Sequence, residues 1–315
     1  MIDFLVALLL DFLIGDPYCF PHPVKLMGKW IAWEEKTARS LAKDNASLKK
    51  LGGGIVLLNL ILSFFLPFAL LRLLRGYPPL FHIVNTYLLY TCIAAGCLQR
   101  EAMKIYRALS ESLDKARYQL SFIVGRETKN LEEKEVIRAT VETVAENTSD
   151  GVIAPMFYAM IGGVPLAFLY KMGNTMDSML GYLNEKYRDI GFFPAKTDDV
   201  LNFLPARLTG LMVCLSSLLR FRVPDGFRIM IRDRKNHKSP NCAYPEGAVA
   251  GLLGVQLGGD NTYFGEVVEK PRIGDRVRDL EKDDIRRAVE IMYRSEVLTA
   301  LICFALYFLL ARGIA

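Results

Sequence analysis

The sequence predicts an all-α fold: a polytopic α-helical membrane protein with broken or re-entrant helices and polar helical insertions. Three observations predict it. Residues 52–74 contain one charge, Arg72, and residues 80–97 contain no Asp, Glu, Lys or Arg. Each run falls in the roughly 17–25 apolar residues that a helix needs to cross a bilayer. Two further apolar runs are punctuated, 151–170 by Pro155, Gly162, Gly163 and Pro165, and 200–219 by Pro205 and Arg207. Nowhere do apolar and polar residues alternate with a period of two for long enough to build a sheet.

Taken in order, residues 2–14 form a short apolar segment, too short for a full crossing. Asp3 and Asp11 argue against a signal peptide, which wants a basic start and an unbroken apolar centre. Pro17, Pro21 and Pro23 make 15–23 a loop. A helix over 24–41 and a polar turn lead to the first strong span, 52–74. Arg75-Gly76-Tyr77-Pro78-Pro79 turns the chain into the second, 80–97. The stretch 99–150 is polar and helical, 151–170 is a broken apolar segment, and 171–199 is polar again. After the broken segment 200–219, a long polar region contains the uncharged patch 247–259. An apolar helix over 297–311 closes the chain. The reading is of one membrane-embedded domain, 1–315.

The composition is 52% hydrophobic and 23% charged, and the mean hydropathy of +0.22 comes from apolar residues gathered in runs. Such a pattern excludes a disordered chain, a disulfide-knotted secreted domain and an ordinary soluble enzyme. The net charge of +5 does not point to nucleic acid, because 39 basic and 34 acidic residues are interleaved. Its distribution is a topology signal. If each of the six apolar segments crosses once, loops 15–51, 98–151 and 220–295 share a face with 31 Lys and Arg, against 7 on the other. The positive-inside rule makes the first face cytoplasmic. The six cysteines include no C-x-x-C pair, and four lie in or beside apolar segments. A reducing compartment without a structural metal follows.

Three polar clusters adjoin the punctuated segments. Spacing of four puts Arg138, Glu142 and Glu146 on one helical face, with Asp150 just beyond its end. A salt-bridged surface helix has the same spacing. In the functional reading Glu146, Asn147 and Asp150 present oxygens suited to Mg²⁺ held with a nucleotide's phosphates. The second cluster, Lys171, Asn174, Asp177 and Arg188, suits a polyanionic substrate with a metal, or else a solvated helix-turn-helix. The third is Asp198, Asp199, Asn202 and Arg207. An arginine in an apolar segment needs a partner or a cavity, so either Asp199 or Asn202 pairs with Arg207, or its donor fork clamps phosphate. His237 and Glu246 stand in a Gly- and Pro-containing loop region beyond these. No P-loop or G-x-S-x-G occurs, and the three histidines are too dispersed for a zinc site.

Several stretches together carry a family resemblance. They are Gly15-Asp16-Pro17 with Pro21-His22-Pro23-Val24, the run 142–155, Asn174-Thr175-Met176-Asp177-Ser178-Met179, the run 198–209, and His237-Lys238-Ser239-Pro240-Asn241 with Pro245-Glu246. In that order the chain resembles the adenosylcobinamide-phosphate synthase family of cobalamin biosynthesis, called CbiB or CobD, from about residue 3 to the C-terminus. A departure at Cys242-Ala243, where a smaller pair is expected, leaves the polar motif positions untouched.

The resemblance implies an enzyme of the cell membrane that joins aminopropanol, or its phosphate, to a propionate carboxylate of the corrinoid adenosylcobyric acid, using ATP. It also implies a lipid bilayer around the chain and other membrane enzymes of the corrinoid pathway as partners. By chemical type, the Mg²⁺ ligands for such a reaction are Glu146, Asp150, Asp177, Asp198 and Asp199. Lys171, Arg188 and Arg207 suit phosphate, Asn147 and Asn174 line the nucleotide site, and His22, His237 or Glu246 serves as base. Rival readings are a transporter, which should show two similar halves, a non-catalytic membrane sensor on the same scaffold, and a phosphotransferase, whose D-x-x-D-G pattern the chain lacks.

Because ATP is cytoplasmic, the polar clusters are expected to face one cytoplasmic pocket, with 151–170 and 200–219 failing to cross fully. Broken helices are tolerated at membrane depth when protein encloses them. A cysteine replacing Asn184, in a background without other reactive thiols, should therefore resist an impermeant maleimide added to intact cells. Labelling only from outside overturns this orientation.

Overall fold

The structure is a computed structural model that describes residues 1–17, 21–182, 184–263 and 266–313. Tyr18, Cys19 and Phe20 of the proline-rich loop lie outside the described residues. The fold is all-α, as expected. Among the described residues four helical runs are long and apolar enough to cross a membrane: Asn45–Leu74, Pro78–Leu109, Glu133–Leu180 and Asp283–Leu310. The chain divides into two compact units, one of Met1–Ala94 with Ala154–Asn202, the other of Ala95–Ile153 with Phe203–Ala315.

The first unit contains α1 (Ile2–Ile14), α2 (Pro23–Leu41), α3 (Asn45–Leu74), α4 (Pro78–Tyr90), α8 (Ala154–Leu180) and α9 (Phe192–Leu201). Helix α1 stops at Gly15, whose φ of 58° is costly for a residue with a Cβ. Helix α3 starts before the apolar run because Asp44 and Ser47 form a reciprocal cap: Asp44 accepts from the Ser47 N–H at 2.7 Å, and the Ser47 hydroxyl accepts from the Asp44 N–H at 3.0 Å. Its sides are sorted for a lipid solvent. Leu57, Leu58, Phe65, Leu66 and Leu73 are exposed, whereas Asn59 and Ser63 are buried. Asn59 is fully used: it accepts from the Trp30 indole at 3.0 Å and donates to Glu34 on α2 at 2.6 Å. Burial holds the Glu34 carboxyl above its ordinary range.

The punctuation in 151–170 acts as expected. Helix α8 is broken at Gly162 and Gly163, where φ reaches 64° at Gly163. Beyond the break it continues to Leu180, so the residues 171–180, expected in a separate polar stretch, share a helix with the apolar run. Nothing in Lys171-Met172-Gly173-Asn174 forces a stop, and the helix retains its hydrogen bonds by continuing.

In the second unit α5 (Ala95–Leu109), α6 (Leu113–Leu120) and α7 (Glu133–Asn147) precede a π-helical segment, Thr148–Ile153. After the return from the first unit come α10 (Phe203–Ser216), α11 (Val223–Asp233), α12 (Ala243–Leu253) and α13 (Asp283–Gly313). Helix α7 packs against α12, α13, α5 and α6, and its residues 136–145 are buried except for the half-buried Arg138. The apolar run 200–219 shortens to the 14-residue α10, preceded by a break at Asn202, and the closing apolar run becomes the later part of the 31-residue α13. Four strands escaped the sequence reading. β1 (Leu257–Gly258) pairs antiparallel with β4 (Arg272–Ile273), and β2 (Asn261–Tyr263) with β3 (Glu266–Val268). At two or three residues each, none is long enough to display an alternation.

Close packing at Gly52 of α3 gives a stability prediction. A Cβ at Gly52 would intrude on the Ile190 carbonyl, whereas one at Gly54 would meet open space. Gly52→Ala should destabilise by about 1–3 kcal/mol through overpacking. Gly54→Ala should be neutral, or stabilise by up to about 1 kcal/mol through helix propensity. Reversible denaturation of both variants in detergent checks the contrast, and equal behaviour would refute the packing account.

Candidate active site

The spacing of four along α7 becomes a row of charged groups with different surroundings. Glu142 is enclosed: one carboxylate oxygen accepts from the Arg126 guanidinium at 2.7 Å, with both side chains 7% exposed. Its other oxygen accepts from the Gly258 N–H at 2.8 Å. Arg138, one turn earlier, approaches Glu142 at 3.8 Å and donates to the Gly258 and Asp260 carbonyls. Glu146, one turn later, is half-buried and accepts from the Cys242 thiol at 3.2 Å.

The widened turn after α7 decides where the next groups stand. Asn147 donates to the Thr143 carbonyl at 2.9 Å and the Thr148 hydroxyl to the Val144 carbonyl at 2.7 Å, so short polar side chains bond back to the backbone. Asp150 and Asn147 are half-buried there. π-Helical turns of this kind recur at functional sites.

The loop between α11 and α12 and the start of α12 bring the remaining titratable groups of this unit. His237 Nδ1 accepts from the Ser239 N–H at 3.0 Å, so the neutral ring carries its proton on Nε2. Burial lowers the His237 pKa, and the charge of Lys270 adds to this, while Glu146 and Glu142 oppose it. The neutral ring is therefore poised to donate from Nε2. Cys242 is pushed well above the usual thiol range by burial and then by the charges of Glu146, Asp150 and Glu246, which keeps it a thiol and a donor. Glu246 is 4% exposed. Burial, then the charges of Glu142 and Glu146, raise its carboxyl well above the ordinary carboxylate range, with Lys270 and Arg126 opposing.

Arg207 is in the same unit, on α10, but the partner expected from the sequence is corrected. Its guanidinium donates to Asn241 at 3.3 Å and to the Phe203 carbonyl. It also lies 3.6 Å from the Phe203 ring centroid and 4.5 Å from that of Tyr244. Two ring faces and an amide satisfy the charge where Asp199 or Asn202 was expected to.

Asp199 pairs with Lys196 at 2.8 Å, and Asn202 donates to both oxygens of Asp198 at 3.0 Å. In the first unit these form a chain: Tyr170 donates to Asn202 at 2.9 Å, Asn202 to Asp198, and Asn174 to Asp198 at 3.2 Å. The second and third sequence clusters therefore meet across α8 and α9. Lys171 and Asp177 are half-buried on α8, Arg188 is exposed in the turn before α9, and His22 lies at the start of α2 with Nε2 3.4 Å from Asp16.

A family model described as CobD/Cbib protein matches residues 4–292. The chain belongs to the CobD/CbiB family. It is 55% identical over 304 residues to a protein of Clostridium tetani named "Cobalamin biosynthesis protein CobD", with 96% of each chain covered. A protein of the same name from Clostridium acetobutylicum is 50% identical over 96% of this chain and 99% of its own. "Cobalamin biosynthesis protein CbiB" of Salmonella arizonae is 45% identical over 93% of each. No solved structure matches the chain. Membership of the CobD/CbiB family gives the chain a role in cobalamin biosynthesis.

Within this CobD/CbiB chain the tertiary structure adds groups that sequence patterns missed. Arg126 lies in an irregular polar stretch, 16 positions from the carboxylate it neutralises. Cys242 was visible only as a departure from the family pattern. Lys270 precedes Pro271 in a strand connection with no motif around it. The acidic residues expected to bind metal divide between the units, Glu146 and Asp150 in one and Asp177, Asp198 and Asp199 in the other. Among the described residues no three His, Cys, Asp or Glu side chains are grouped to hold a metal by themselves.

The raised Glu246 pKa sets the sign of a pH effect. An unfolded Glu titrates near 4.5, so between that pH and its higher folded value the native protein binds the extra proton. The stability Glu246 contributes is then complete below about pH 4.5 and is lost as pH rises through the folded pKa. Glu246→Gln, which cannot ionise, should flatten the fall in stability on the alkaline side of pH 4.5. Melting temperatures across pH for both proteins check it, and parallel curves would contradict the assignment.

Proposed function

We propose that the chain catalyses ATP-dependent amide-bond formation, attaching aminopropanol or its phosphate to a propionate carboxylate of adenosylcobyric acid and giving adenosylcobinamide or its phosphate. The observation that carries the proposal is the Glu246 carboxyl, buried beside Glu142 and Glu146 and raised well above its ordinary range. An amine arrives protonated at neutral pH and must lose a proton before it can attack. A carboxylate becomes a stronger base as its pKa rises, and burial among like charges moves Glu246 in that direction.

In this reading ATP transfers a phosphoryl group to the substrate carboxylate, converting a poor electrophile into an acyl phosphate. The amine nitrogen then attacks the carbonyl carbon, the C–N bond forms, phosphate departs and the ammonium proton passes to Glu246. His237 donates from Nε2 to oxygen that gains negative charge. Magnesium bound through phosphates needs only one or two protein carboxylates. Glu142 is committed to Arg126 and Gly258, and Glu246 is assigned to the proton, so Glu146 and Asp150 are the fitting pair. The metal would screen the phosphate charge. A cell-membrane location with the site toward the cytoplasm, where ATP is found, belongs to the same proposal.

The test is the purified protein with adenosylcobyric acid, Mg-ATP and each amine in turn, read by mass spectrometry. The amide product should form with one amine or both. Glu246→Gln should slow formation by roughly 10²–10⁴-fold, the contribution of a lost general base. Neither amide nor ATP turnover from well-folded protein would sink the proposal and favour the transporter reading.

A further inference from the structure

The second unit contains a cleft of about 220 Å³ that no sequence motif marked. Its walls carry five cationic side chains, Lys134 and Arg138 from α7, Arg272 from β4, and Arg276 and Arg278 from the segment that follows. Among the described residues, two carboxylates, Glu135 and Asp279, line it. Asp279 is shared, lying 2.6 Å from both Lys134 and Arg276. Arg278 reaches beyond the cleft to the buried Asp284 at 2.8 Å. Arg272 has an amide for a partner, donating to Gln256 at 3.1 Å.

Two features separate this cleft from a solvated basic surface. It is built by elements distant in sequence, because the β1–β4 pairing sets Arg272 opposite Gly258 while Gly258 binds Arg138. A wrapped backbone also shapes its wall: Gly258 and Gly259 have φ of 77° and 89°, and a Cβ on Gly259 would lie 2.8 Å from the Arg138 guanidinium. The fold therefore places guanidinium groups, whose planar donor forks match phosphate oxygens, around one concavity. Arg138 also lies two turns from Glu146 along α7, about 12 Å at 1.5 Å per residue.

We infer that this cleft is a phosphate-binding subsite, taking the phosphate groups of a soluble phosphorylated substrate. The inference rests on the amide-synthesis reading only for the identity of that substrate, where the triphosphate of ATP and the phosphate of aminopropanol phosphate present the same chemistry. The ligand's phosphate displaces the shared Asp279 contacts and takes direct hydrogen bonds from Arg272 and Arg276.

Direct binding tests it without requiring turnover. Isothermal titration of the purified full-length protein in detergent would use inorganic triphosphate, Mg-ATP and aminopropanol phosphate. Arg272→Ala with Arg276→Ala should weaken at least one of the two substrates, and triphosphate, by ten-fold or more. Arg222→Ala, a basic residue outside the cleft paired with Asp225 at 2.8 Å, should leave binding unchanged. Arg272→Gln retains a hydrogen-bonding side chain and tests the charge if the double variant melts early. A loss confined to Mg-ATP makes the cleft the nucleotide site, and a loss confined to aminopropanol phosphate makes it the amine site. Either supports the inference. Equal affinities in wild-type and folded cleft variants, or no binding of any phosphate compound, overturns it. Intact phosphate binding without amide product would instead fault the reaction.

Discussion

A carboxylate sealed inside a helical bundle must be neutralised and hydrogen-bonded, and in the second unit Glu142 imposes that demand on everything near it. Arg126 meets one oxygen and the Gly258 N–H the other. The first contact ties the irregular polar stretch before α7 to its middle. The second fixes the turn after α12 and so the start of the β1–β4 pair. Breaking such a buried pair leaves an uncompensated charge, a loss of roughly 3–5 kcal/mol. With Glu142 held, Arg138 and Glu146 are fixed one turn to either side, the first toward the basic cleft and the second toward Cys242.

That arrangement gives one helix two electrostatic settings. The row on α7 runs from the Arg138 cation to the Glu142 and Glu146 carboxylates, and tertiary partners decide the surroundings of each. Glu142 is consumed by structure. Glu246, packed near two carboxylates at the start of α12, cannot easily lose its proton, so its pKa rises. The same burial lowers that of His237. Shared burial thus shifts an acid and a base in opposite senses, each toward its neutral form.

In the first unit the controlling constraint is the separation of apolar from polar side chains. Helix α3 turns large apolar side chains outward and keeps Asn59 within, bonded to Trp30 and Glu34. The Tyr170–Asn202–Asp198–Asn174 chain obeys the same rule, since polar groups away from water pair with one another. Arg207 shows where local reading failed. Asp199 and Asn202 were near in sequence, but Lys196 and Asp198 satisfy them, and the arginine is met by an amide and two rings. Sequence distance is a poor guide to a charge's partner when long-range packing offers a better one.

By itself the sequence determined the helical class, the long apolar runs, the break at Gly162–Gly163 and the row of charges on α7. These follow from local properties: the absence of charge, the backbone freedom of glycine, and the 3.6-residue period of a helix. Its ordered motifs also carried the family. Tertiary structure alone decided that Arg126 neutralises Glu142, that Cys242 donates to Glu146, that Arg207 stacks on Phe203 and Tyr244, and that five cations line one cleft. Each depends on residues far apart in the chain whose electrostatic demands are met only after helices pack, and a pKa such as that of Glu246 exists only in the environment so formed.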